Sequence, residues 1–98
     1  MNTYLSVYLR EKQPGILMHW CPGCGEPHTL NVDSSRKDQA VYLWNGNPDN
    51  PSFQPAVLLE EGETVCNYTI KNCYIQYSHK CTHKLRGKLV LLPFYPGV

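Results

Sequence analysis

Cys21-Pro22-Gly23-Cys24-Gly25 sets two thiols three residues apart across a Pro-Gly turn. A turn of this kind aims both sulfurs at one point and frees backbone N–H groups to hydrogen-bond them, which supplies half of a tetrahedral zinc site. Far downstream, Cys81-Thr82-His83 offers a second pair of ligands one residue apart. Cys21, Cys24, Cys81 and His83 together form a Cys3His set. Such a set suits Zn2+, whereas magnesium and calcium take oxygen ligands. Cys66 and His28 are substitutes for either downstream ligand, since His28 follows Cys24 by only four residues. Cys73 reads as a small buried hydrophobe, His19 as a strand residue and His79 as a surface group. A thioredoxin-like redox pair is the rival for Cys21 and Cys24, but that chemistry wants a helix after the first cysteine. Pro27 and the strand-like Thr29-Leu30-Asn31-Val32 leave no room for one.

The elements that must position these groups are strands. Leu5, Val7 and Leu9 alternate with Tyr4, Ser6 and Tyr8, the period of a half-buried strand. Further runs follow at 16–20, 28–32, 40–44, 56–60, 65–70, 73–77 and 88–92. Turn residues bound them: Pro14-Gly15, Ser34-Ser35, Asn45-Gly46, Glu61-Gly62 and Lys71-Asn72. Eight prolines and seven glycines interrupt every candidate helix, and only the polar stretch 34–39 could make a single turn. The expected fold is all-β: a small zinc-stabilised sheet or sandwich of short antiparallel strands, with the knuckle of a zinc ribbon at a hairpin tip. A chain of 98 residues reads as one domain, 1–98, whose small core would gain from a metal staple. Structural zinc contributes roughly 10–16 kcal/mol in small modules.

Five cysteines cannot all pair, the N-terminus lacks the basic start of a signal peptide, and no apolar run could span a bilayer. These features point to a reducing, cytoplasmic setting with no membrane partner. The net charge of +1 conceals an asymmetry: residues 1–63 hold all eight acids, whereas Lys71, Lys80, Lys84, Arg86 and Lys88 follow with none. Interleaved with tyrosines, these five could face nucleic acid. If strands fold the two halves together, they join an ordinary mixed surface. Residues 45–55 carry three prolines in an extended loop, with Trp44 and Phe53 as its anchors. As a recognition loop it would present Asn47, Asp49, Asn50, Phe53 and Gln54 to a partner.

Cys21, Cys24, His28, Trp44, Gly46, Pro51, Phe53, Pro55, Cys66, Cys81 and His83 together carry a resemblance. The chain is similar to small phage and prophage proteins of unassigned function that have a Cys-Pro-x-Cys-Gly-x-x-His knuckle, a Trp-x-Gly…Phe-x-Pro loop and a terminal Cys-Thr-His. Some are labelled ammonia monooxygenase, a membrane copper enzyme that this chain cannot be. The resemblance covers residues 16 to 93. Relatives also occur beside bacterial ubiquitin-like conjugation genes, which implies a protein-binding or processing setting and, for a phage protein, a host factor as partner. Two departures stand out. Asn67 follows Cys66 where relatives carry Cys-His, which removes any role that histidine has, and Cys73 replaces a hairpin glycine.

A metal-dependent hydrolase needs an open coordination position and a carboxylate base. Glu26, Glu60, Glu61 and Glu63 are near the ligands in sequence, but none sits in a His-Glu-x-x-His or deaminase pattern. The expected function is therefore a zinc-stabilised module that binds protein. Metal-dependent hydrolysis and nucleic-acid binding are the alternatives.

Overall fold

The computed structural model describes residues 2–36 and 38–96, folded into two antiparallel sheets. The first contains β1 (Thr3–Tyr4), β2 (Arg10–Gln13), β3 (Ile16–Cys21) and β4 (Glu26–Asn31) in that order. The second contains β5 (Leu43–Trp44), β6 (Phe53–Glu61), β7 (Thr64–Lys71), β8 (Tyr74–Tyr77) and β9 (Leu89–Leu91), also in chain order. The expected all-β class is what the chain adopts. Among the described residues there is no helix, and so none long and apolar enough to cross a membrane.

Turn chemistry explains most of the pairing. Asn72 and Cys73 join β7 to β8 with φ of 50° and 68°, the two-residue turn whose twist matches its flanking strands. That conformation favours glycine at Cys73, the residue found there in the resembling proteins. The β3–β4 hairpin carries the knuckle at its tip. It pairs Leu17 with Leu30, His19 with His28 and Cys21 with Glu26.

The N-terminus departs from the expected strand. Residues 5–9 form a tight loop between β1 and β2 because Ser6 competes with the ladder. Its buried hydroxyl accepts the Tyr8 and Leu9 N–H groups at 3.1 and 3.2 Å, and the Leu5 and Ser6 N–H groups both turn to the Leu9 carbonyl. Leu9 still reaches the core, but Val7 is exposed. The stretch expected as a strand at 40–44 pairs only at Leu43 and Trp44.

Between the sheets, side chains stack in layers that follow the strand period. Leu17 and Leu30 face Ile70 and Ile75 at the apolar end of the core. His19 and His28 come next, against Tyr68. Cys21 and Cys66 occupy the end nearest the knuckle, beside Tyr77. The far side of the first sheet is covered by Tyr95, whose N–H donates to the Val7 carbonyl at 2.7 Å and whose ring meets Trp20 and Arg10.

Ser6 also donates to the Pro48 carbonyl at 2.7 Å, tying the proline-rich loop to the first sheet. Ser6→Ala should cost about 1–3 kcal/mol, because it strands a buried N–H donor at Leu9 and a part-buried one at Tyr8, and frees the loop. Urea denaturation of the two proteins checks this, and an unchanged midpoint would contradict the assigned role of the hydroxyl.

Candidate metal centre

Strand alternation decides which groups meet. On β3, Leu17, His19 and Cys21 point between the sheets; on β7, Cys66, Tyr68 and Ile70 do so. The hairpin tip then folds Cys24 back over Cys21, helped by Gly25 at φ 69° and its N–H bond to the Cys21 carbonyl at 2.8 Å. Cys21, Cys24, His28 and Cys66 thereby bring one ligand atom each to within 4.8 Å of all the others. Across the sheets, the Cys21 and Cys66 sulfurs lie 3.8 Å apart. Zn–S bonds of about 2.3 Å at a tetrahedral angle require a sulfur separation of about 3.8 Å. Three sulfurs and one imidazole suit zinc.

The sequence-derived set is divided by this geometry. Cys21 and Cys24 are together, joined by the two substitutes His28 and Cys66. Cys81 and His83 gather with Cys66 in a second, adjoining group. Cys81 is buried and turned to the backbone of β7: its sulfur accepts the Asn67 N–H at 3.2 Å and donates to the Asn67 carbonyl at 3.1 Å. In the proline-rich loop, Asn47, Asp49, Asn50 and Gln54 are exposed. Phe53 is 3% exposed and stacks on Trp44 at 6.2 Å between ring centroids, so it anchors the loop and presents nothing to a partner. The five late basic residues are all exposed; Lys80, Lys84 and Arg86 border one depression, and Lys71 is at the end of β7, across the Asn72–Cys73 turn from β8.

Electrostatics restricts what the cluster can hold unaided. Cys21 is pulled down to about 2, chiefly by the hydrogen bond from the Cys66 thiol, with His28 and Tyr77 assisting against burial. Cys24 is pushed up to about 11 by burial and by the Cys21 charge, and Cys66 is driven far above its usual value by its bond to Cys21 and by burial. One thiolate is accommodated and three are not. A bound divalent cation would supply the charge needed to ionise the remaining two.

Sequence reasoning passed over the groups that support the ligands. Tyr68 is buried between the two histidines, 2.6 Å from His19 Nε2 and 3.1 Å from His28 Nδ1. With Nδ1 on the tyrosine, Nε2 of His28 is left for a metal; were one bound there, Nδ1 would carry the proton and donate to Tyr68, whose hydroxyl would donate on to His19 Nε2. This fixes the ring of a ligating histidine through its second nitrogen. The clue was present in the alternation Cys66, Tyr68, Ile70 and in the pairing of position 19 with position 28.

Two clefts and two carboxylates border the cluster. A cleft of about 200 Å3 borders Cys24, His28 and Cys66 and holds Glu26 and Glu61; a second, of about 520 Å3, is lined by Gly23, Cys24, Thr82 and His83 and shares the same two carboxylates, which puts it within the size range of ligand pockets. Glu26 comes to 3.9 Å from His28 Nε2 and is exposed. Among the described residues no serine hydroxyl is bonded to a histidine: Ser6, Ser35, Ser52 and Ser78 are engaged with backbone groups or Asp33, and Ser34 is exposed in the turn after Asp33.

His19 has its own pH signature. Burial, and after it the neighbouring His28, lowers it from 6.5 to about 4, so it is neutral near pH 7. The unfolded chain therefore binds a proton that the folded one refuses between those values. Stability from this residue is complete above pH 6.5 and is lost as pH falls toward 4. The loss should approach 3 kcal/mol in order of magnitude. Denaturation midpoints measured across this range should fall more steeply for the native chain than for His19→Gln, and equal slopes would contradict the assignment.

Two comparisons, with curated proteins and with solved structures, return no match. Residues 2–83 match the family described as "Bacterial ubiquitination-like system serine protease (BubE)".

Proposed function

The chain belongs to the BubE family of a bacterial ubiquitination-like system, and on that footing we propose that it is a zinc-stabilised binding module working through protein–protein contacts. The observation that carries this reading is the four-ligand group itself. Cys21, Cys24, His28 and Cys66 converge from both sheets with the sulfur spacing of tetrahedral zinc. Four protein ligands close the coordination shell, leaving no position for an activated water, and make the metal a bolt between the sheets.

The family description also names a serine protease. Two features favour binding without cleavage in this chain. No serine is bonded to a histidine among the described residues. Asn67 occupies the position where the resembling phage proteins carry histidine, and its amide donates to the Val57 carbonyl at 2.9 Å. The contact surface in this reading is the rigid loop bearing Asn47, Asp49, Asn50 and Gln54, which Ser6 and the Trp44–Phe53 stack hold in place. The partner is a protein of the ubiquitination-like system in the cytoplasm or, if the gene is phage-borne, a host factor that such a system contains.

Metal analysis of protein purified without chelator should find about one zinc per chain. Cys66→Ser and His28→Ala should lose most of it, and Cys81→Ser should keep it; the reverse pattern would return the ligand positions to Cys81 and His83. Chelation should lower the melting temperature sharply, because the metal joins two sheets that share no strand.

Mixing the purified chain with the modifier protein of its own system tests the function. Complex formation without cleavage, weakened when Asp49 and Gln54 are both changed to Ala at unchanged zinc content, is the expected result. Release of a peptide fragment, abolished by substitution of any one serine, would replace this reading with proteolysis.

A further inference from the structure

His83 lies against the cluster as a metal ligand would not. Its Nδ1 accepts the Leu85 N–H at 3.2 Å, which places the ring proton on Nε2, and Nε2 faces the Cys66 sulfur at 3.5 Å. A nitrogen that carries a proton has no lone pair for a metal, but it can donate a hydrogen bond to a thiolate. Tyr77 does the same on the other side. It accepts the Gly23 N–H at 3.3 Å, and its hydroxyl donates to the Cys21 sulfur at 3.1 Å. The two rings meet edge to face, 4.6 Å between centroids.

The rest of the Cys-Thr-His segment holds this donor in position. Cys81 clasps the Asn67 backbone from both sides. Thr82 repeats the arrangement at Val65: its N–H donates to the Val65 carbonyl and its hydroxyl accepts the Val65 N–H, each at 3.0 Å. The segment is thereby fastened along β7, one residue after another, with His83 at its end. Gly23 completes the fit. Any β-carbon there would overlap the His83 ring, so the knuckle admits the imidazole only because it has glycine at that position.

We infer that Cys81-Thr82-His83 is a clamp that presents His83 as an N–H donor to the Cys66 thiolate, and that His83 and Tyr77 together quench the nucleophilicity of the zinc-bound sulfurs. The inference rests on the zinc reading above. Three thiolates and a neutral imidazole leave a zinc complex with a net negative charge, held on the sulfurs. Donors at two of them withdraw that charge and protect the thiolates from electrophiles. His83 is a positioning residue, one step outside the ligand shell.

Cobalt-loaded protein provides the test, since the absorption of Co2+ reports ligand number and type. His83→Phe keeps a ring against Gly23 and removes the donor. It should retain one cobalt per chain with tetrahedral absorption, shift the sulfur-to-metal charge-transfer band, and react with iodoacetamide about tenfold faster. His83→Gln, which can still donate, should react at close to the native rate. Tyr77→Phe should raise the rate in the same direction. Should His83→Phe fail to fold, Thr82→Val, which loosens the clamp and spares the ring, should show a smaller acceleration of the same sign. Loss of cobalt or of its tetrahedral spectrum in a folded His83 variant would make His83 a ligand and overturn the inference. Equal alkylation rates and unshifted bands in all variants would reduce the segment to packing. If the native chain binds neither cobalt nor zinc, the zinc reading fails and this inference with it, an outcome distinct from the other two.

Discussion

Three sulfurs meet where the two sheets close on the knuckle, and the ionisation of each opposes that of its neighbours; much of the molecule's architecture answers to that constraint. The hydrogen bond between Cys66 and Cys21 pushes Cys66 up and pulls Cys21 down, while burial and the Cys21 charge push Cys24 up. A divalent cation reverses the balance, because every further thiolate then gains more from the metal than it loses to desolvation. The tyrosines and histidines around the cluster arrange this in advance. Tyr68 orients one imidazole and Tyr77 caps one sulfur, and both hydroxyls are themselves satisfied. A buried network in which each member has a partner avoids the penalty that a partly satisfied one would carry. His19 Nδ1 is the exception, buried with no partner.

The core accordingly changes character along its length. Leucine and isoleucine fill one end, tyrosine and histidine the middle, and cysteine the other. Hydrophobic burial secures the first layer and hydrogen bonds the second, while the third has the ligand atoms to be held by coordination. Because strands alternate strictly, a shift of one residue in β7 would take Cys66, Tyr68 and Ile70 out of all three layers at once. The Asn72–Cys73 turn guards against that slip by fixing the register with β8.

Much of this could be read from the chain. The knuckle, the strand runs after residue 16, the turns and the aromatic anchors of the proline-rich loop all follow from local chemistry that neighbouring residues do not override. The N-terminal alternation misled because a serine hydroxyl can satisfy backbone donors as well as a neighbouring strand can, and periodicity does not weigh that competition. Partition of the histidines and cysteines was harder still. Spacing tells which side chains could reach a metal, but whether one does depends on the protonated nitrogen of a ring and on whether a thiol is already held by backbone. His83 and Cys81 are engaged by residues two and fourteen positions away, contacts that spacing does not reveal.

The separation of the two sheets in sequence also has a kinetic side. One is completed within residues 3–31 and the other within 43–91, each by hairpins between consecutive strands. Low contact order of this kind lets each half assemble early and on its own. The long-range event is docking, and it brings Cys66 to Cys21, 45 positions apart. A cation captured by the first hairpin alone would thus hold three of its four ligands, Cys21, Cys24 and His28, and await only Cys66, turning a diffusive search between the two sheets into a capture step.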